Sequence, residues 1–382
     1  MDRGARTVDP SHLLSRIPFP EFLDQVQDGL FIIDEKRTIV FWNRAAEELT
    51  GFSAASMVGM TCLDADLLGH RTVHGERLCQ DGTCPLQRSM IRGAGGTLPQ
   101  LLLMNTASGR PLPISLSVGP LQGPDGDGIG AIALFRSRRE EYQQRTLAIE
   151  IQKRMITQQG FCRNGVRVQT VYAPVDEIGG DFLEAFFLDE RTLIATVADA
   201  TGHGISASLF TMVYKTLLHS SFSGRRGPGE VMASINRGFL ETAGVDGFYI
   251  SACLVSYDPA TCTGSYASAG HPRGLIFRRE GKGHILREKI ALPSLMIGVD
   301  ETAQFKEVEF HLSPGELLMI SSDGILEAPC RGGKQFGVEG VQEFFAGYQG
   351  ETPLDDLLAE VRSRSSFQPL GDDVSALLIS PA

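Results

Sequence analysis

Two strand-rich regions of different pattern flank a polar, helix-forming stretch in this chain. Residues 1–17 carry Pro, Arg and Ser without periodicity and form a lead-in. The apolar run at 29–33 predicts a buried strand, Asp34-Glu35-Lys36-Arg37 a polar turn, and 38–42 a second strand, so the pair makes a hairpin. Asn43 stands where a helix N-cap belongs, ahead of the helical run 44–49, and Gly51 ends that helix. Three more strands are predicted at 97–105, 111–119 and 128–135, with Ser108-Gly109 and the Gly- and Asp-rich stretch 124–128 as turns. Two strands, short helices and three strands predict a small antiparallel α+β domain over 18–137.

Residues 138–160 are polar and poor in Gly and Pro. Leu147, Ile151 and Met155, with Ile149 and Ile156 beside them, recur there at helical spacing. They predict a linker helix, either one strand of a coiled coil across a homodimer or an amphipathic helix packed on its own domain. Over 161–382, apolar strand runs (192–197, 249–257, 264–269, 275–277, 316–321, 374–379) alternate with helical runs (206–221, 228–243, 340–347). The whole reads as a two-domain α+β chain, without internal repeats.

Composition narrows the partners. The 382 residues suffice for two ordinary domains, and a net charge of -11 argues against a nucleic-acid or anionic-membrane binder. No apolar run approaches the roughly 20 residues that span a bilayer, and the first twenty residues lack a secretory pattern. A cytoplasmic location is expected. Seven cysteines in this length do not suggest a disulfide scaffold.

Four acidic motifs fall at strand ends or in the loops after them. They are Gly179-Gly180-Asp181-Phe182, Val197-Ala198-Asp199-Ala200-Thr201-Gly202-His203-Gly204, Ser321-Ser322-Asp323-Gly324 and Gly371-Asp372-Asp373-Val374. Any one of them alone is an ordinary turn. Carboxylates at the ends of separate strands can converge, and a converged cluster repels itself unless cations neutralise it. Hard ions such as Mg²⁺ and Mn²⁺ prefer oxygen ligands and keep several waters. Two such ions bridged by a carboxylate activate a water and clamp a phosphoryl group, which suits phosphate-ester hydrolysis without a nucleophilic side chain.

In order and spacing these motifs resemble the metal-dependent (PPM-type) serine/threonine phosphatases of the SpoIIE/RsbU type over 145–380. Further carriers are Glu150-Ile151-Gln152, Tyr172-Ala173-Pro174, Ala267-Ser268-Ala269-Gly270-His271-Pro272, Leu312-Ser313-Pro314-Gly315-Glu316, Asp323-Gly324-Ile325-Leu326-Glu327-Ala328 and Phe336-Gly337. The resemblance implies an α/β/β/α sandwich over 161–382 that uses two Mn²⁺ or Mg²⁺ ions. It implies that Asp199 bridges both ions, with the Ala200 carbonyl as a further ligand, and that Asp323 and Asp372 hold the second. Asp181 is implied near the first ion, acting partly through water, so that Asp181 and Asp199 form the catalytic pair. Asp372 is matched to the ligand position in preference to its neighbour Asp373. His203 and His271 are expected to fix their loops, a catalytic acid being the alternative. Thr201, Glu184, Ser322 and Lys334 depart from the usual family residues. None removes a ligand, and Glu184 and Lys334 bear on substrate choice. Gly-Gly-Asp-Phe also resembles a cyclic-dinucleotide synthase signature, but that signature needs an acidic residue where Phe182 stands.

The N-terminal domain resembles the PAS sensor family over 18–137. The carriers are the hairpin, Phe41-Trp42-Asn43-Arg44-Ala45-Ala46-Glu47 and Leu49-Thr50-Gly51-Phe52-Ser53. Within it Cys62, His70, His74, Cys79 and Cys84 lie close in sequence. Thiolate and imidazole ligands suit zinc, iron or an iron–sulfur centre, and a redox-switched disulfide is a further option. Members of the family also bind haem, flavin or small organic ligands, and nothing in the sequence selects one.

Together the resemblances imply a sensor that regulates a phosphatase through the linker helix. The implied substrate is phosphoserine or phosphothreonine on a regulatory protein, a STAS-type anti-sigma-factor antagonist. The alternative is a catalytically inactive sensor or partner-binding module, against which the intact Asp199, Asp323 and Asp372 speak.

Overall fold

The computed structural model describes residues 19–62, 68–73, 75–80, 82–98, 100–156, 160–202, 204–222, 227–245, 247–365 and 370–382. The lead-in, His74 and His203 lie outside them. The chain divides into two compact units after Arg145.

The first unit contains β1 (Gly29–Asp34), β2 (Ile39–Trp42), β3 (Arg71–Thr72), β4 (Gly96–Thr97), β5 (Leu102–Met104), β6 (Leu112–Gln122) and β7 (Gly128–Ser137). They form one antiparallel sheet in the order β2-β1-β7-β6-β5-β3, with β4 paired to β6. The predicted strand at 97–105 is therefore two short ones. Phe31, Trp42 and Phe135 pack at ring-centroid separations of 5.6 to 6.3 Å in the core, so Trp42 serves packing.

Asn43 fixes the hairpin to the helix Arg44–Thr50. Its buried Oδ1 accepts from the N–H groups of Leu30 (2.8 Å) and Ala46 (2.9 Å). Its Nδ2 donates to the carbonyls of Val26 (3.2 Å) and Asp28 (3.0 Å). One amide thus caps the helix and ties it to β1 and the segment before it. Gly51 closes the helix at φ 76°, in the left-handed region that a side chain disfavours.

The second unit contains β8 (Phe161–Arg163), β9 (Val166–Ala173), β10 (Asp181–Phe187), β11 (Leu193–Ala200), β12 (Ile250–Asp258), β13 (Thr263–Ala269), β14 (Gly274–Glu280), β15 (Gly283–Ile290), β16 (Glu307–His311), β17 (Glu316–Ser321) and β18 (Val374–Pro381). Two antiparallel sheets, β10-β11-β12-β13-β16 and β15-β14-β17-β18-β9-β8, pack face to face. Alternation sorts each strand between two cores. Leu318, Ile320, Leu377 and Ile379 belong to the core between the sheets. Leu317, Met319, Ala376 and Leu378 belong to the core under the helices Gly337–Gly347 and Pro353–Arg364. The helices Ile205–Ser221 and Pro228–Ala243 cover the other sheet through Tyr214, Leu218, Ile235 and Phe239. This is the α/β/β/α sandwich.

The linker helix spans Arg139–Met155. Ile149, Gln152 and Ile156 are its buried face and the turn after it, whereas Leu147 and Ile151 are 59% and 42% exposed. Lys215 holds the end of the helix, donating from Nζ to the Met155 carbonyl (2.6 Å) and to Glu184 Oε1 (2.7 Å). Glu184 Oε2 meets His219 Nε2 at 2.9 Å. Glu184 is buried and lies with Phe182 and Phe186 on the helix-facing side of β10, opposite Asp181. Its carboxylate is thus held by Lys215 and His219.

Asn43→Ala should lower the stability of the first unit by about 3 kcal/mol, because buried backbone donors and carbonyls lose their partners together. Thermal unfolding of the full chain, followed by Trp42 fluorescence, checks this.

Candidate active site

β10 and β11 place two carboxylates side by side. Their register pairs Asp181 with Asp199 across the strands, and β12 then pairs Asp199 with Ser251. Asp181 is 1% exposed. It faces the opposite sheet, where Ser375 donates to its Oδ2 at 2.7 Å. Burial pushes its carboxyl well above the ordinary range, and the Asp199 charge pushes it further. Asp199 is half-buried, and its pKa is raised to about 7 by burial first and then by the charges of Asp323, Asp372 and Asp373.

Asp323 opens the short helix Asp323–Leu326 just after β17. Its pKa is raised by burial and by the charges of Asp372 and Glu327. Asp372 is exposed and accepts from the Asp373 N–H at 2.8 Å. Asp199 thus feels both Asp181 across the strand pair and Asp323 and Asp372 beyond it, with Ala200 buried at the end of β11. Burial and neighbouring charge disfavour the anionic forms of Asp181, Asp199 and Asp323, which compensating positive charge would relieve. Among the described residues no three His, Cys, Asp or Glu side chains are gathered tightly enough to hold a metal ion as they stand. The donor set is all oxygen, which fits a hard divalent cation.

Asp373 does something its neighbour does not. It is 8% exposed, and its two oxygens accept from the N–H groups of Val175 (2.7 Å) and Gly180 (2.6 Å). Both are used to hold the loop that leads into Asp181. Gln152 holds the same loop from the linker helix. Its Nε2 donates to the Gly179 carbonyl at 2.6 Å, and its Oε1 accepts from the Gly179 N–H at 3.3 Å. Gly179 is needed there, since a Cβ would meet Asp373 Oδ2 at 2.6 Å and Tyr172 Oη at 2.7 Å. The roles of Gln152, Asp373, Ser322 and Ser375 are absent from the sequence reading, although Gln152 and Asp373 fall within its quoted motifs. Two of the family departures keep the hydroxyl the fold uses. Thr201 Oγ1 accepts from the Tyr249 N–H (2.9 Å), and Ser322 Oγ from the Ser375 N–H (3.1 Å).

His271 is 9% exposed, with Nδ1 2.9 Å from the hydroxyl of Ser251, the cross-strand neighbour of Asp199. Burial lowers its pKa to about 3. Burial disfavours the imidazolium, and Nδ1 is tied to the Ser251 hydroxyl.

The chain matches the family described as Stage II sporulation protein E (SpoIIE) over residues 189–381, about half its length. This chain belongs to the SpoIIE family. The PAS fold matches residues 23–143. Phosphoserine phosphatase RsbU of Bacillus subtilis is 23% identical to the SpoIIE-type chain over 186 residues, which cover 48% of this chain and 53% of RsbU. Phosphoserine phosphatase RsbP of the same organism is 26% identical over 184 residues, 47% of this chain and 44% of RsbP. The chain thus spans about half the length of these relatives. The SiaA-PP2C domain of Pseudomonas aeruginosa superposes with a TM-score of 0.53 at 18% identity, covering 64% of this chain and 97% of that domain. That likeness establishes a PP2C-like fold for the SpoIIE domain.

Gln152→Ala should speed amide exchange at Gly179 and Gly180 by roughly tenfold and lower stability by about 1 to 2 kcal/mol. Exchange followed by mass spectrometry reads this directly. His271 gives a pH effect. Its folded pKa lies below the unfolded value, so the unfolded chain binds the extra proton between about pH 6.5 and about pH 3. His271 therefore removes stability as pH falls through that window. His271→Asn should flatten this part of the acid limb relative to the parent chain in denaturant titrations.

Proposed function

We propose that the SpoIIE domain hydrolyses phosphoserine or phosphothreonine esters on a regulatory protein, under control of the PAS unit. The observation that carries this reading is Asp199, paired across the strands with Asp181 and within reach of the charges of Asp323 and Asp372, where the two sheets meet. Asp199, the Ala200 carbonyl, Asp323 and Asp372 would hold two Mn²⁺ or Mg²⁺ ions. When bound, such ions supply Lewis acidity, neutralising phosphoryl oxygens and making a water acidic enough to attack near neutral pH. The chain's own residues do the positioning. Asp181 lies beside Asp199 across the strand pair, Ser375 fixes Asp181 and is itself held by Ser322, and Asp373 holds the Gly179-Gly180 approach.

The substrate class follows from the relatives named phosphoserine phosphatases. A STAS-type anti-sigma-factor antagonist is the proposed partner, in a cytoplasmic stress-response pathway. No described helix is long and apolar enough to cross a membrane. Regulation would act through the linker helix, because Gln152 grips the backbone two residues before Asp181. The exposed Leu147 and Ile151, four residues apart on that helix, are the proposed homodimer stripe.

The test is hydrolysis of p-nitrophenyl phosphate and of a phosphoserine peptide with Mn²⁺, Mg²⁺ or chelator. Activity should need the metal and fall by roughly 10²-fold or more in Asp199→Asn. Metal-dependent turnover that survives Asp199→Asn would remove Asp199 from the centre. A parent chain inactive with either metal would leave the partner-binding module as the reading.

A further inference from the structure

The cysteine–histidine stretch of the PAS unit brings Cys79 Sγ to 3.4 Å from His70 Nδ1, with no third ligating side chain gathered there among the described residues. The SpoIIE domain carries a feature of another kind. We propose that this domain binds a small, multiply charged phosphate-type anion in a cationic cavity at the far end of its second sheet from the carboxylates. The cavity measures about 300 Å³ and lies on the helix-facing side of that sheet. The connection between the helices Gly337–Gly347 and Pro353–Arg364 lines its other side. The site is independent of the phosphatase reading.

Strand alternation and register build it. Val171 on β9, Phe277 on β14, Leu317 on β17 and Leu378 on β18 belong to the core under the helices. Arg167, Arg279 and Ser380 lie at even spacing from them and so share that face. Ser380 pairs with Arg167 across β18 and β9, and Arg279 pairs with His284 across β14 and β15. The buried Leu317 and Leu378 form an apolar floor between the two pairs. β17 and β18 separate β14 from β9, which sets the backbones carrying Arg279 and Arg167 about 14 Å apart. Lys282 lines the same cavity from the turn between β14 and β15. Positive charge thus approaches the floor from two sides, on long side chains that can converge on an anion between them.

That charge is uncompensated. Arg167, Arg279 and Lys282 make no ion pair among the described residues, in a chain whose net charge is -11. Other arginines of the domain are paired, Arg287 with Glu316 and Arg364 with Glu343. Among the described residues Glu351 is the one acid that lines the cavity, and its backbone carbonyl accepts from Gln169 Nε2 at 3.4 Å. Burial first, and then the Arg279 charge, lower the pKa of His284, as an unneutralised cation would. Three cations against one carboxylate match an anion of two or more charges, which phosphate esters and anhydrides carry. Guanidinium forks suit their oxygens. The ligand is an effector and not a substrate of the carboxylate centre, because Ser380 lies about 17 Å along β18 from Ser375, the residue that donates to Asp181.

Calorimetric titration of the metal-free full chain with inorganic pyrophosphate tests this. Without metal the carboxylate cluster repels anions, so it cannot supply the heat. One pyrophosphate should bind per chain, with inorganic phosphate and the dicarboxylate malonate each weaker by about tenfold or more. Arg167→Gln and Arg279→Gln should each weaken pyrophosphate binding by about tenfold or more. Both side chains are exposed, so the variants should unfold at the parent's temperature. Arg237→Gln removes an exposed cation from the helix Pro228–Ala243 and should bind as the parent does. Pyrophosphate should also slow amide exchange at 349–351, in the connection over the cavity. The proposal is overturned if the folded parent shows no saturable binding, or if either Arg167→Gln or Arg279→Gln binds like the parent. It is equally overturned if Arg237→Gln weakens binding as much as they do, which would mean diffuse attraction, or if malonate binds as tightly as pyrophosphate.

Discussion

The buried Asp181 and the half-buried Asp199 face one another across adjacent antiparallel strands, and two carboxylates so placed repel unless something shares their charge. Much of the SpoIIE domain is arranged around that strain. Ser375 approaches from the second sheet to donate to Asp181, which ties the two layers together at that pair. Asp323 and Asp372 add further negative charge at the rim. A fold with stability as its sole end would place apolar residues there, as it does at Leu183 and Val197 on the same strands. Retained charge at this depth is a cost that an incoming cation removes.

The same site reaches outward through backbone. Asp373 spends both oxygens on the N–H groups of Val175 and Gly180, while Gln152 exchanges two hydrogen bonds with Gly179 between them. The linker helix is therefore joined to the approach of Asp181 by a side chain that cannot slide by one residue without losing both bonds. Lys215 fixes the end of that helix by its grip on the Met155 carbonyl, with Glu184 and His219 behind it. The helix and the loop are thus joined through both hydrogen bonds at Gly179.

Much of this was legible in the sequence, and the gaps have physical causes. β11, β12, β17 and β18 are buried on both faces or nearly so, and such strands announce themselves as apolar runs. β15 and β16 are more exposed and carry charges, as in Arg287-Glu288-Lys289 and Glu307, so no apolar run marks them. The helix Pro353–Arg364 had a signal, with Pro at its start and Leu354, Leu357, Leu358 and Val361 at helical spacing, and it passed unread. Within the site, the motifs named the carboxylates, and the resemblance preferred Asp372 to Asp373 as the ligand without assigning Asp373 a role. Adjacent residues leading into a strand point opposite ways, and only the fold shows that Asp373 turns inward onto backbone N–H groups while Asp372 stays outside.

The linker helix shows where periodicity stops being informative. Leu147-Ile151-Met155 and Ile149-Gln152-Ile156 are both spaced to share a helix face, and hydrophobicity alone favours the first. The fold buries the second, because Gln152 has a backbone to grip and Ile156 enters the core between the sheets. A glutamine on the buried face is what an apolar pattern search discards, yet here it specifies register in a way another leucine could not. The more apolar stripe is left exposed at Leu147 and Ile151. The two readings of the helix are thus no longer rivals. One face is occupied by the helix's own domain, and a second copy would have to pair on the other, so dimer formation and the hold on Gly179 can coexist on a single helix.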